Sequence, residues 1–98
     1  MIRKETMKGS KKVKVTFVLP RDQPHGTVFL VGDFNGWRPG VDLFARRANR
    51  AFSVSVTLEP GGRYAFRYLT GTGEWIDEER PDAREPNGFG GENGVVVT

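Results

Sequence analysis

Cysteine is absent from this chain, which excludes a disulfide framework, a thiolate nucleophile and any cysteine-based metal site. There is no apolar run of about eighteen residues, so no helical membrane span is available. The first residues are basic but lack the apolar stretch of a secretory signal. Together these absences point to a reducing, cytoplasmic setting. Helical periodicity is missing as well. The one histidine, His25, stands in a Pro-His-Gly turn without an evident serine or cysteine partner, which leaves no nucleophile–base pair. With 98 residues the chain can bury one modest core, but not a core plus a deep catalytic cleft. Hydrolysis of a glycoside would need two carboxylates fixed across such a cleft. The expectation is a non-catalytic domain with no cofactor and no metal.

Charge is unevenly distributed. Residues 1–14 carry six cations against one anion, a net +5, and contain every lysine. Residues 74–98 carry seven carboxylates against two arginines, a net −5. Residues 1–10 read as a flexible, solvated basic arm ahead of a single domain spanning residues 11–98. Glu78, Glu79, Asp82 and Glu85 lack the spacing of a calcium loop and read as a solvated acidic loop. A basic excess confined mostly to one tail, with acid around and after Trp75, argues against nucleic acid as a partner.

Period-two alternation is what the chain does have. Val13, Val15, Phe17 and Leu19 alternate with polar residues up to Pro20, and a turn follows from Arg21 to Gly26. Thr27 to Val31 is an apolar, β-branched strand, and Val41 to Phe44 a short edge strand. Phe52, Val54, Val56 and Leu58 alternate with Ser and Thr, and after Pro60-Gly61-Gly62 come Tyr64, Phe66 and Tyr68. A short strand follows at Glu74 to Asp77, then a long loop over residues 78–93 and a closing strand from Val95 to Thr98. About seven short strands with turn signals roughly every ten residues predict an all-β, antiparallel, immunoglobulin-like sandwich. A small five-stranded barrel is the alternative.

Three motifs in order carry a resemblance. They are Gly32-Asp33-Phe34-Asn35-Gly36-Trp37, the aromatic strand Phe66-Arg67-Tyr68 with its hairpin to Trp75, and the closing Gly90 to Val97. The chain resembles carbohydrate-binding module family 48, the isoamylase-type N-terminal domains, including the glycogen-binding domain of the AMP-activated kinase β subunit. The likeness runs from about Val13 to Thr98. It implies an early-set sandwich that contacts α-1,4-linked glucan or malto-oligosaccharide. By position it implies Trp37 and Trp75 as stacking residues, Arg67 as the basic residue between them, and Asn93 before the last strand. Phe89 stands where the glycogen-binding members place a leucine, and the hairpin before Trp75 is one residue longer than theirs.

The residues support part of this on their own chemistry. A glucose ring offers a flat C–H face for an indole and an edge of hydroxyls for polar groups. Trp37 follows Asn35-Gly36 in a polar turn rather than an alternating strand, and Trp75 follows Gly73-Glu74 at a hairpin tip. Arg67 has the opposite parity to Tyr64, Phe66 and Tyr68, so it projects from the outer face if those aromatics fill the core. Asn93 can bond a hydroxyl or only shape a turn, and both readings stand. Phe89, between Gly88 and Gly90, is hard to bury, and whether its exposure serves a ligand is open. Asn35-Gly36 reads as a turn with positive φ, with Asp33 part of it. The leading reading is an α-glucan-binding module, alone or beside a glycan-active enzyme. The alternative is a protein-interaction domain of the same fold with little sugar affinity.

Overall fold

The computed structural model describes residues 1–20, 22–48 and 52–98. Arg21, part of the turn expected at 21–26, lies outside them. The architecture is all-β, two antiparallel sheets laid as a sandwich. Ten strands are present among the described residues: β1 (Ile2–Thr6), β2 (Val13–Leu19), β3 (Val28–Gly32), β4 (Asp42–Leu43), β5 (Ala45–Arg46), β6 (Phe52–Leu58), β7 (Arg63–Thr70), β8 (Trp75–Ile76), β9 (Ala83–Pro86) and β10 (Glu92–Val97). The smaller sheet runs β1-β2-β6-β5; the larger runs β4-β3-β7-β10-β9, with β8 paired to β7. A 3₁₀ turn, Asp33–Asn35, joins β3 to the loop that follows. No described helix is long and apolar enough to cross a membrane.

Alternation places the core. Phe17, Phe66, Tyr68, Leu30, Val15 and Val28 are wholly buried. Their rings meet edge-on: Phe17 lies 4.9 Å from Phe66 at 61°, and Phe44 lies 5.3 Å from Tyr68 at 90°. Such edge-to-face pairs add about 0.5–1.5 kcal/mol beyond area burial.

Three expectations change. The edge strand expected over 41–44 is the shorter β4, paired with β3 at the edge of the larger sheet, and an unanticipated strand, β5, follows it on the other sheet, paired with β6. Between them Phe44 is 3% exposed, and its N–H donates to Val28 O at 3.0 Å, so the chain crosses the core there. The long loop expected over 78–93 contains β9 and the first residues of β10. Ala83-Arg84-Glu85-Pro86 has no apolar alternation; it is an edge strand paired with β10 alone, where a proline is tolerated.

The third change concerns the basic arm and the acidic loop. Rather than a free arm, Ile2–Thr6 pairs with β2 in full register, from Ile2 opposite Phe17 to Thr6 opposite Val13. Of the acidic residues it meets, Glu79 and Asp82 are exposed as expected, but Glu78 is not. Glu78 is 4% exposed. It accepts hydrogen bonds from the Met1 ammonium (2.9 Å), the Tyr68 hydroxyl (2.9 Å) and the Arg80 amide (2.9 Å). Lys4 Nζ lies 2.6 Å from Asp82 Oδ2, which also accepts from Val97 N–H at 2.7 Å. One lysine of the basic end and the Met1 ammonium thus pair with two carboxylates of the acidic end. Burial alone would raise the Glu78 pKa, but its three donors outweigh burial and hold it below the ordinary carboxylate range. The same balance, with Lys4 and the Val97 amide opposing burial, lowers Asp82. Burial and the adjacent Glu78 raise the Tyr68 phenol well above its usual value.

Candidate functional site

Strand parity decides which side chains share the outer face of the larger sheet. On β7, Tyr64, Phe66 and Tyr68 point into the sandwich, so Ala65, Arg67 and Leu69 point away from it. Trp75 is opposite Leu69, Val95 is opposite Ala65, and Asn93 is opposite Glu85. Register therefore puts Arg67, Trp75, Asn93 and Glu85 on one face, contributed by four strands.

The β3–β4 loop brings Trp37 to that face, and each residue of Gly32–Trp37 has a physical reason. A Cβ on Gly32 would lie 2.6 Å from Ala65 O and 2.9 Å from the Phe34 ring, so only glycine lets the loop start flat on β7. Phe34 packs its ring 6.1 Å from Phe17 and 6.4 Å from Tyr64. Asn35 is buried and ties the turn together. Its Oδ1 accepts from Gly32 N–H (3.1 Å), and its Nδ2 donates to Leu30 O and Asp42 Oδ2 (2.9 Å each). Gly36 and Trp37 are both left-handed, at φ 67° and 58°. For glycine this is cheap; for tryptophan it costs about 1–2 kcal/mol, which the surrounding bonds must hold in place. Asp33 supplies that hold. Its Oδ1 accepts from Trp37 Nε1 at 2.9 Å and its Oδ2 from Ala65 N–H at 2.8 Å, bolting the indole to the sheet.

Around Trp75 the organisation is different. Arg67 Nε donates to Asp77 Oδ1 at 2.8 Å, and its guanidinium carbon lies 5.2 Å from the Trp75 ring centroid. The arginine stacks on the indole and stays about 20% exposed, its terminal nitrogens unbonded among the described residues. Trp75 itself is 46% exposed. Phe89 stands at the tip of the β9–β10 hairpin and is 94% exposed. Asn87 Oδ1 folds that tip by accepting from Phe89 N–H (2.8 Å) and Gly91 N–H (3.2 Å).

These elements enclose one open groove of about 860 Å³. Trp37, Arg67, Trp75, Phe89 and Asn93, the five residues singled out by sequence, all line it. Asp33, Glu85 and Asn87 line it too and were not among the candidates. Asp33 stands four residues before Trp37, within the loop that the sequence predicts there. Asn87, followed by glycines on the hairpin, carried an Asx-turn signal. Glu85 had no sequence signal, because its strand has none. The groove can lay apolar ring faces against a flat C–H surface and offer guanidinium, amide and carboxylate groups to hydroxyls.

No family model matches the chain. Over 57 residues it is 39% identical to the 1,4-alpha-glucan branching enzyme GlgB of Salinibacter ruber (strain DSM 13855 / M31), covering 57% of this chain and 9% of that protein. The chain thus spans about a tenth of the length of the curated relative it matches.

Proposed function

We propose that the chain is a non-catalytic α-glucan-binding module in which Trp37 and Trp75 stack on the sugar. In this reading Arg67 and Asn93 bond its hydroxyls, and Phe89 gives an apolar contact from the opposite rim. The observation that carries the reading is convergence. Five residues spread from position 37 to position 93 line one open groove, and the residues that hold them there are of the kind that fix orientation. The partial likeness to an α-glucan branching enzyme supports the same substrate class. A cytoplasmic glycan-active enzyme is the natural protein partner for such a module. The groove is wide and open, and the reading needs only a few stacking anchors, so affinity is expected at roughly micromolar to millimolar.

Affinity electrophoresis through gels containing glycogen or amylopectin tests this. The chain is expected to be retarded and a Trp37→Ala/Trp75→Ala variant to run unretarded. Equal migration of the two in polysaccharide and plain gels would end the proposal, leaving a protein-interaction domain of the same fold. The half-exposed Trp75, in the same groove as Trp37, favours the sugar reading over that one.

A further inference from the structure

The smaller sheet has an outer face of its own, with different chemistry. Register sets Arg3 opposite Thr16 and Thr16 opposite Ser55, one row across three strands. At about 4.8 Å per strand the row spans roughly 10 Å. Thr16 Oγ1 and Ser55 Oγ lie 2.8 Å apart. A hydroxyl pair spends one proton on its mutual bond and keeps the other to donate outward. Lys14 stands two residues along β2 on the same face. Arg47 reaches in from the other side, with Nε and Nη2 each 3.3 Å from Ser53, at Oγ and O. Together they line a concave surface of about 430 Å³. Arg3 and Lys14 have no ion-pair partner among the described residues. Glu5 is the one carboxylate in the lining, and it stands directly opposite Lys14 in register, so one of the cations has an acid beside it.

We propose that this concavity is a second binding site, for a phosphate monoester dianion such as that of a sugar phosphate, held by Arg3, Lys14 and Arg47 over the Thr16–Ser55 hydroxyl pair. Three cations, from β1, β2 and the segment after β5, beside spare hydroxyl donors match an anion with several acceptor oxygens. The lining has no aromatic ring for a base to stack on, so it is the phosphoryl group that the site would recognise. Nothing in this depends on glucan binding, since the two concavities lie on opposite outer faces.

The test is a ¹H–¹⁵N NMR titration of the chain at constant ionic strength with inorganic phosphate, glucose 6-phosphate and chloride in parallel. Saturable shifts are expected for the Thr16, Ser53 and Ser55 amides with both phosphates and not with chloride. The Trp37 and Trp75 indole signals should stay in place with inorganic phosphate. Arg3→Gln/Lys14→Gln, surface changes that leave the core untouched, should weaken binding at least tenfold, as loss of charge-assisted bonds requires. Equal affinity for the two phosphates would make the phosphoryl group the whole determinant; tighter glucose 6-phosphate would add recognition of the ester. Linear shifts, shifts matched by chloride, or affinity unchanged in the double variant would overturn the site.

Discussion

The two rims of the groove are built to different standards. On one, Trp37 sits at the end of a six-residue turn in which the buried Asn35 makes three side-chain bonds and Asp33 fixes the indole nitrogen. On the other, Phe89 is carried by a glycine-flanked hairpin tip folded by Asn87 alone. The first rim accepts left-handed backbone at a tryptophan; the second leaves a phenyl ring almost wholly in solvent. The contrast teaches that orientation in this groove is supplied from the β3–β4 side. The hairpin adds contact area that a ligand must order for itself.

Asn35→Ala should break the comparison most severely. It strands the Gly32 N–H and one bond of the Leu30 carbonyl, which costs about 2–4 kcal/mol across the buried donors and acceptors involved. Denaturant unfolding should show that loss together with lost retardation in glycogen gels. A drop below about 1 kcal/mol would mean the turn is held otherwise.

Next in size is Glu78→Gln, which disturbs the seam between β1 and the larger sheet but neither rim. A loss of about 1–3 kcal/mol at neutral pH is expected, with retardation unchanged. The pH dependence has a defined sign. The folded pKa of Glu78 is depressed, so its stabilisation is complete above the unfolded value of about 4.3 and lost as pH falls through the lower folded value. The melting temperatures of parent and variant should therefore converge as pH drops below about 4. A gap that widens on acidification would contradict the assigned bonds.

Between the rims, Trp75→Ala should cost about 1–2 kcal/mol of glucan affinity, near tenfold, while unfolding changes little, because the ring is half exposed. Asp33→Ala tests the rigid rim more gently. It removes acceptors for Trp37 Nε1 and Ala65 N–H, worth about 1 kcal/mol of stability, and should weaken binding several-fold with Trp37 still present. Indole ¹⁵N shifts would report the released ring. The smallest effect belongs to Phe89→Ala. Stability should stay within about 0.5 kcal/mol, and only affinity should fall, by less than Trp75→Ala. If Phe89→Ala unfolds the chain as Asn35→Ala does, the two rims are not different in kind.

Much of this was legible residue by residue. Alternation along 13–19, 52–58 and 64–68 marked three strands and their buried faces, because a half-buried strand needs a period of two. Parity alone turned Arg67 outward. The turn chemistry of Asn35-Gly36 was legible as well, though not that Asn35 would be buried and clamp two strands. Strands β1 and β9 escaped, because an edge strand can be held by backbone bonds and ion pairs, which leave no apolar pattern.

What the sequence by itself determined is local: which residues alternate, where the chain turns, and which side chains have flat or hydrogen-bonding surfaces to offer. Tertiary structure decided what meets what. It drew positions 37, 67, 75, 89 and 93 to one groove through the register of β7 with its neighbours. It also paired Lys4 with Asp82 and Met1 with Glu78, tying two charge runs together around one buried carboxylate. The reason is range. Alternation and turn propensity act within a few residues, whereas register and charge pairing depend on segments some eighty positions apart, which only a packed core brings together.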